Sequence, residues 1–380
     1  MITEKMNQID RLKEVAAVFF KLGVIGFGGP AAHIAMMEEE IVRKRKWMDR
    51  QHFLDLMGAT NLIPGPNSTE MTMHCGHERA GKLGLFVAGA AFIFPAVVLT
   101  GILAFLYTKY GELPEVQPFI FGIKPAVLAL IAGAIYKLGK KALKSLEIGI
   151  LGILVLVASL LGMNEVLALL SAGVLGMIYF SARLGTKVNK QSIIPVLLAA
   201  TPGKIIGITT AKVFWTFLKV GAVLYGSGYV LFAYLDAELV TAGWMSRQQL
   251  IDAIAVGQFT PGPVLSTATF IGYQLNGIQG AAAATVGIFL PSFLFVLLLN
   301  PLVPNMRKSA VLRHFLDSVN IAAVAVMVAV LFVMSADTLI DWKTYLIAAV
   351  GFLFTFGPYK LSSLWIVVSG AVMGYVLSFI

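Results

Sequence analysis

The chain has 380 residues, of which 58% are hydrophobic and 13% charged, with a mean hydropathy of +0.83. A soluble domain carries about a quarter of its residues as charge, so a soluble enzyme or binding module is excluded and an all-α polytopic membrane protein is expected. The formal charge of +9 would suggest nucleic acid in a soluble protein; here it reads as lysines and arginines in cytoplasmic loops, and no nucleic-acid partner is expected.

Taken in order, the start Met1-Ile2-Thr3-Glu4-Lys5 is mixed in charge and lacks an apolar core with a cleavage site, so no removable signal peptide is expected. A helix over about 12–40 follows, interrupted by glycines and by Gly28-Gly29-Pro30. Next comes a short helical pair, about 48–63 and 67–79, around Pro64-Gly65-Pro66. Each proline removes a backbone donor and pushes the residue before it out of the α region, while the glycine accepts almost any backbone angle. Each member has at most about 16 residues, too short to cross a bilayer alone, which predicts a re-entrant hairpin. Four further helices are predicted at about 82–108, 117–139, 146–162 and 165–183.

The pattern then repeats, with helices at about 208–240, 245–259 with 264–275 around Pro261-Gly262-Pro263, 277–300, 309–335, 343–357 and 361–379. Trp47-Met48-x-Arg50-Gln51 matches Trp244-Met245-x-Arg247-Gln248 at an offset of 197, as do Asp55 with Asp252, Asn61 with Gln258, and the two Pro-Gly-Pro triplets. Upstream, an offset of 198 pairs Phe19, Lys21, Gly23 and Gly28 with Phe217, Lys219, Gly221 and Gly226. Downstream, 196 pairs Gly76, Gly81, Gly84 and Pro95 with Gly272, Gly277, Gly280 and Pro291. So many ordered matches are a duplication. The expected organisation is a first repeat over 1–183, a linker over 184–204 and a second repeat over 205–380.

Five crossings and one hairpin per repeat would make the copies enter the membrane in opposite directions. With the N-terminus placed outside, the predicted inner loops hold twenty lysines and arginines and the outer ones six, as the positive-inside rule requires. The N-terminal tail, with three basic and three acidic residues, fits either side. If the first helix were also re-entrant, both ends and the parity would change.

Lys21 and Lys219 fall at matching places inside apolar helices, each just before a glycine run. An intramembrane cation usually faces the bundle interior and a partner; the alternative is a lysine reaching back to the interface. Helices that begin at Pro30 or Asn67, and near Gly228 and Val264, leave N–H groups unpaired in their first turns and present about half a positive charge each. Interrupted helices aimed at an anion near the midplane are a recurring transporter solution. The neutral donors Asn61 and Gln258, just before the breaks, could contact oxyanion oxygens. Asp55 and Asp252 read either as coupling carboxylates or as partners of nearby arginines. Glu70, three residues after Asn67, has the spacing of a capping box and is also a coupling candidate. His33, His74 and His77 could titrate near neutral pH, but with no third and fourth ligand in view no metal site is expected. The single cysteine, Cys75, excludes an intrachain disulfide. No Walker A loop and no nucleophile elbow occur, so neither catalysis nor a cofactor is expected.

The run Phe20-Lys21-Leu22-Gly23 through Phe27-Gly28-Gly29-Pro30-Ala31-Ala32-His33-Ile34, followed by Pro64-Gly65-Pro66-Asn67-Ser68-Thr69-Glu70, resembles the signature of the chromate ion transporter family. Gly76-His77-Glu78-Arg79-Ala80-Gly81 and the second Pro-Gly-Pro with Gly272 resemble it as well. The resemblance covers nearly the whole chain in the fused two-domain form. It implies export of chromate, a sulfate-shaped dianion, across the cell membrane, and resistance to it. Carried over residue by residue, it places Gly28, Gly29, Pro30, His33 and both triplets, Pro64-Gly65-Pro66 and Pro261-Gly262-Pro263, at the substrate. The second copy departs from it at Tyr225-Gly226-Ser227-Gly228-Tyr229, so the two half-sites are expected to be inequivalent. The expected function is a secondary transporter carrying chromate outward. The alternatives are uptake of sulfate or a related oxyanion by proton or sodium symport, and an anion channel. The lipid bilayer is the expected surrounding, and pairing into a homodimer is left open.

Overall fold

A computed structural model describes residues 7–27, 29–60, 63–183, 208–225, 228–299, 309–358 and 361–380. The regular structure among the described residues is all helical. The first repeat comprises α1 (Gln8–Ile25), α2 (Gly29–Met37) running into a π-helical turn (Glu38–Lys44), α3 (Arg50–Thr60), α4 (Asn67–Tyr110), α5 (Gln117–Ala142), α6 (Leu146–Leu160) and α7 (Glu165–Arg183). The second comprises α8 (Thr210–Val223), a 3-10 turn (Gly228–Val230), α9 (Leu231–Leu235) with its own π turn (Asp236–Val240), α10 (Arg247–Phe259), a 3-10 turn (Val264–Ser266), α11 (Thr267–Leu299), α12 (Ala310–Thr338), α13 (Trp342–Phe356) and α14 (Ser363–Leu377). The linker expected at 184–204 lies outside the described residues, as do Gly28, Asn61 and Gly226. Five helices, α4, α5, α7, α11 and α12, are long and apolar enough to cross a membrane.

The duplication is written into the backbone. α4 is not one rod: Ala80 (φ −140, ψ 20) and Gly81 (φ 67, ψ −156) break it. A methyl group on Gly76 would run into the carbonyl oxygen of Gly84, and the reverse holds too. Eight residues along a straight helix stand about 12 Å apart, so the chain doubles back, and arm 67–79 lies against arm 82–110. Asn276 (φ −155, ψ 39) and Gly277 (φ 56, ψ −149) do the same in α11, with Gly272 packed on Gly280. Gly81 and Gly277 hold a left-handed angle that a side chain would strain. The expected boundary between 79 and 82 is therefore a true reversal.

One end of the molecule gathers the start of α1, the end of the first π turn and the reversal of α4. Gln8 donates to the Ala80 carbonyl at 2.8 Å, and Glu14 takes Arg45 at 2.9 Å and Arg79 at 2.6 Å. The corresponding groups of the second repeat, Thr210 and Asn276 (2.7 Å apart), sit at the opposite end. Two contacts fix this inversion. Phe86, near the reversal of α4, stacks on Phe293, far from the reversal of α11, at 5.6 Å. Lys144, after α5, pairs with Asp317 in the early part of α12 at 2.6 Å.

The copies are thus inverted, but the parity argument is corrected. The α1–α2 segment starts and finishes at one end of the molecule, as does the segment from α3 through arm 67–79. Four helical runs then pass between the ends: arm 82–110, α5, α6 and α7. The inversion arises because Arg183 and Thr210, flanking the linker, lie at opposite ends. Among the described cations, Arg11, Lys13, Arg43, Lys44, Arg45, Lys46, Arg50, Arg79, Lys82, Lys137, Lys140, Lys141, Lys144, Arg183 and Arg313 lie toward the end where α1 starts. Lys109, Lys212, Arg247 and Lys343 lie toward the other. The positive-inside rule favours the more basic end for the inner face, which would put the start of α1 inside rather than outside.

The repeats are also interleaved. α5 of the first packs on α13 and α14 of the second, and α12 packs on α6 and α7. Gly122 lies against Gly370 and Gly374 with no room for a methyl, and Gly176 lies against Ser318 in the same way. Such close approach is how helices associate where lipid supplies no hydrophobic drive. Beside these contacts, α1 packs on α4, α8 on α11, and α4 on α11.

Candidate anion site at the crossed helix breaks

The site grows from the two proline-bounded breaks. α3 stops at Thr60 and α10 at Phe259, and Gly65 (φ +140) and Gly262 (φ +86) carry the chain through angles that favour glycine. The Gly262 N–H donates to the Gly26 carbonyl at 2.8 Å, and the Gly65 N–H donates to the Leu224 carbonyl at 2.6 Å. Gly26 and Leu224 are equivalent positions, 198 apart, just beyond α1 and α8. Each Pro-Gly-Pro turn therefore closes the broken first helix of the other copy. Such reciprocal contact is what a two-fold relation produces. The backs of the two turns are also exchanged, since Gly65 lies on Ser292 and Gly262 on Ala96, the residues after Pro291 and Pro95. Arm 67–79 rises about 20 Å at 1.5 Å per residue, so the breaks lie well inside the molecule, away from the α4 reversal.

These bonds have an electrostatic consequence. α1 and α8 point their negative C-terminal ends at the breaks, and there the Gly26 and Leu224 carbonyls are covered by N–H donors. α2 and α4 begin at the same place and point their N-terminal ends inward, as do the segments starting at Gly228 and Val264. In α4 the N–H groups of Thr69 and Glu70 turn back onto the Pro66 carbonyl at 2.8 and 3.1 Å. Helices α3 and α10 also end at these breaks, so the N-terminal ends of α2 and α4 meet helix C-terminal ends there, two of whose carbonyls are covered.

His33, 1% exposed, fastens the first break. Its Nε2–H donates to the same Gly26 carbonyl at 2.9 Å, and Nδ1 accepts from the Ser68 hydroxyl at 3.2 Å; the tautomer follows because a carbonyl can only accept. Its ring stands edge-on to Phe92 at 5.3 Å. Both ring nitrogens are occupied by protein. Leu231 holds the equivalent place in the second copy, so this clamp exists once.

Glu70 is the least expected member. The capping-box reading is overturned: the N-cap of α4 is Pro66, with no side-chain cap bond. The Glu70 side chain is 0% exposed, and neither carboxyl oxygen has a hydrogen-bond partner among the described residues. It turns back toward the crossing, beside the Cα of Gly65 and the hydroxyl of Ser292, within electrostatic reach of the Tyr225 phenol. Gln258, 6% exposed, ends the approach from the other copy with its Nε2 buried and unbonded among the described residues. Pro64, Pro66, Asn67, Pro261 and Pro263 frame the two turns; Gly29 (φ 76) and Pro30 open α2.

The two symmetric lysines lie elsewhere. Lys21 pairs with Glu40 at 3.6 Å with its side chain 57% exposed, and Lys219 pairs with Glu238 at 2.6 Å. Glu40 and Glu238 are themselves 198 apart, so the same bond ties each first helix to its π turn. The matched aspartates differ. Asp55 is half-buried and accepts from Gln51 at 3.3 Å. Asp252 is 5% exposed and takes the Tyr107 hydroxyl at 2.6 Å and Lys124 at 3.5 Å, both from the first repeat. Lys124 and Tyr107 went unremarked in the sequence. Lys124 stands inside the predicted 117–139 helix and was open to the argument applied to Lys21.

No solved structure matches the chain. The family model described as chromate transporter matches it twice, over residues 13–177 and 211–375. A chromate transport protein of Cupriavidus metallidurans is 30% identical over 376 residues, covering 96% of this chain and 93% of that protein. A probable chromate transport protein of Synechococcus elongatus is 28% identical over 376 residues, covering 96% and 95%. An uncharacterized transporter of Methanocaldococcus jannaschii is 25% identical over 404 residues, covering 99% and 98%. Two copies of the family's unit, inverted and joined at their proline breaks, make up this molecule, and the chain belongs to the chromate transporter family.

Proposed function

We propose that the protein is a secondary transporter that carries chromate outward across the cell membrane and so confers resistance to it. The observation that supports this reading is the pair of crossed bonds, Gly262 to Gly26 and Gly65 to Leu224. They cover two helix-end carbonyls at the place where α2 and α4 begin, a setting for an anion held by backbone N–H groups. In this reading α1–α2 and α3 with arm 67–79 are re-entrant, and the longer helices cross. The relatives named as chromate transport proteins supply the ion.

Outward movement suits the charge. Moving one charge across the membrane is worth about 2.3 kcal/mol per 100 mV, so a dianion leaving a negative interior gains about 4.6 kcal/mol. The potential alone would sustain roughly three decades of concentration ratio. The purified protein in liposomes, under a clamped potential, should move chromate toward the positive side with saturation and with acceleration by chromate on the far side. Flux that never saturates would indicate a channel. Inward sulfate flux driven by a pH or sodium gradient, with chromate excluded, would indicate the uptake reading instead.

A further inference from the structure

Glu70 poses a problem that the reading above does not solve. A bare carboxylate away from water is strongly unfavourable unless it is paired, and this one is wholly buried with neither oxygen hydrogen-bonded among the described residues. It also occupies the N-terminal turn of α4, beside Gly65 and Ser292. That is where the proposed anion would sit. A carboxylate and a dianion a few ångströms apart repel each other, whereas a carboxylic acid can donate a hydrogen bond to an oxyanion oxygen.

We propose that the Glu70 carboxyl is a proton-binding site at the anion seat, so that one proton is taken up with each dianion and travels in the same direction. The inference rests on the proposed anion transport and adds its coupling ion. The titratable groups nearby begin with His74, one turn further along α4 and 1% exposed. α2 presents His33, with both nitrogens bonded. The end of α8 presents Tyr225, with Tyr234 behind it donating to the Val223 carbonyl at 2.8 Å. α11 contributes the uncharged Ser292. The carboxylates of the flanking hairpin helices, Asp55 and Asp252, accept from Gln51 and from Tyr107 with Lys124, and Lys21 of α1 faces Glu40.

Proton and anion binding at one seat are linked reciprocally. Above the pKa of Glu70 in the empty protein, the KM for chromate should therefore rise about tenfold per pH unit. Each cycle should move one net charge rather than two, so the potential gives export about 2.3 kcal/mol per 100 mV in place of about 4.6 for the bare dianion. The reversal potential should then shift by about 59 mV per tenfold chromate gradient rather than by half that.

The test uses the full chain in liposomes on the alkaline side, because chromate itself takes a proton in mildly acidic solution. The wild type should accumulate chromate down an imposed proton gradient at zero potential, and its reversal potential should report one charge. Glu70→Gln should lose accumulation driven by the proton gradient and hold one KM across pH, at whatever rate of chromate exchange it retains. Accumulation by Glu70→Gln equal to wild type overturns the proposal, because the proton would then ride on the anion or elsewhere. A wild-type reversal potential reporting two charges overturns it without any variant, as does accumulation driven by sodium in place of protons. A wild type that moves no oxyanion under any gradient refutes the transport reading itself.

Discussion

Gly262 donates its backbone N–H to the carbonyl of Gly26 at 2.8 Å across the boundary between the repeats, and Gly65 returns the bond to Leu224 at 2.6 Å. Neither half can finish its own first helix break. Each triplet is therefore part of the other half's structure as well as its own hairpin, and its glycines should tolerate little. A methyl on Gly65 would meet Glu70 and Ser292 at a φ of +140, while one on Gly262 would stand 3.0 Å from the Ala96 methyl at a φ of +86. Gly65→Ala should lower stability by about 1–3 kcal/mol and abolish chromate transport. Gly262→Ala should be milder, since an alanine methyl can shift by a few tenths of an ångström. Melting in detergent and flux in liposomes give the comparison; equal and wild-type values for both would refute the crossed closure.

His33 should matter for stability more than for affinity. With one ring nitrogen on Gly26 and the other on Ser68, His33→Ala removes the acceptor of the buried Ser68 hydroxyl and leaves the Gly26 carbonyl with the Gly262 N–H alone, at about 1–3 kcal/mol. His33→Gln offers the carbonyl a new N–H and should recover part of it. The KM for chromate should change less than twofold in any variant that still folds. A tenfold rise in KM at unchanged melting temperature would place His33 on the anion instead.

Lys21 and Lys219 should behave differently from each other, although the sequence presents them as a matched pair. An exposed ion pair such as Lys21–Glu40 is worth about 0–1 kcal/mol, so Lys21→Ala should retain both stability and chromate protection in cells. The Lys219–Glu238 pair is less exposed and at 2.6 Å, so Lys219→Ala should cost more. Loss of protection in Lys21→Ala with normal insertion would restore the direct role in anion binding expected from sequence.

The repeats and both proline breaks were legible because glycine and proline act through the backbone, and the backbone demands recur at the same spacing in each copy. The return of α1 to its starting end was not. Helix α1 is 18 residues long, enough to suggest a crossing, and only the contacts of Gln8 and Glu14 with the α4 reversal reveal its direction. Lys124 escaped notice for a related reason. Asn320 stands at the matching place 196 residues on, so a search for charges shared by both copies passes over it. Glu70 was visible, but the spacing that suggested a cap could not show that Pro66 already starts the helix.

Glu14 provides a pH test of the end where α1 starts. Burial pushes its carboxyl up, but the guanidinium groups of Arg79 and Arg45 and the indole N–H of Trp47 outweigh that and hold it below the ordinary range. A carboxyl depressed in the folded state contributes stability that is fully present above its unfolded pKa and is lost as pH falls through the folded value. Melting temperature should therefore be flat for this group near neutrality and fall in acid below the usual glutamate range. Glu14→Gln should lower the neutral plateau by about 1.5–3 kcal/mol, the range for hydrogen bonds to charged groups, and flatten the acid fall.

The Asp252 cluster joins the second repeat's hairpin to two helices of the first, through Tyr107 on α4 and Lys124 on α5. Removing one member of a buried pair strands the other charge, at up to 3–5 kcal/mol. Lys124 keeps 21% of its side chain exposed, so Lys124→Met should cost less, about 2 kcal/mol. Tyr107→Phe should cost about 1.5 kcal/mol, as expected for a hydrogen bond to a charged group. Combining Lys124→Met with Asp252→Leu removes both charges and should recover most of the loss, since a buried pair replaced by apolar groups of similar size is often neutral. The melting temperatures of the two singles and the double close the cycle. A double variant as unstable as the sum of its singles would show that Asp252 and Lys124 do not act on each other, and that the hairpin is held to the first repeat by packing alone.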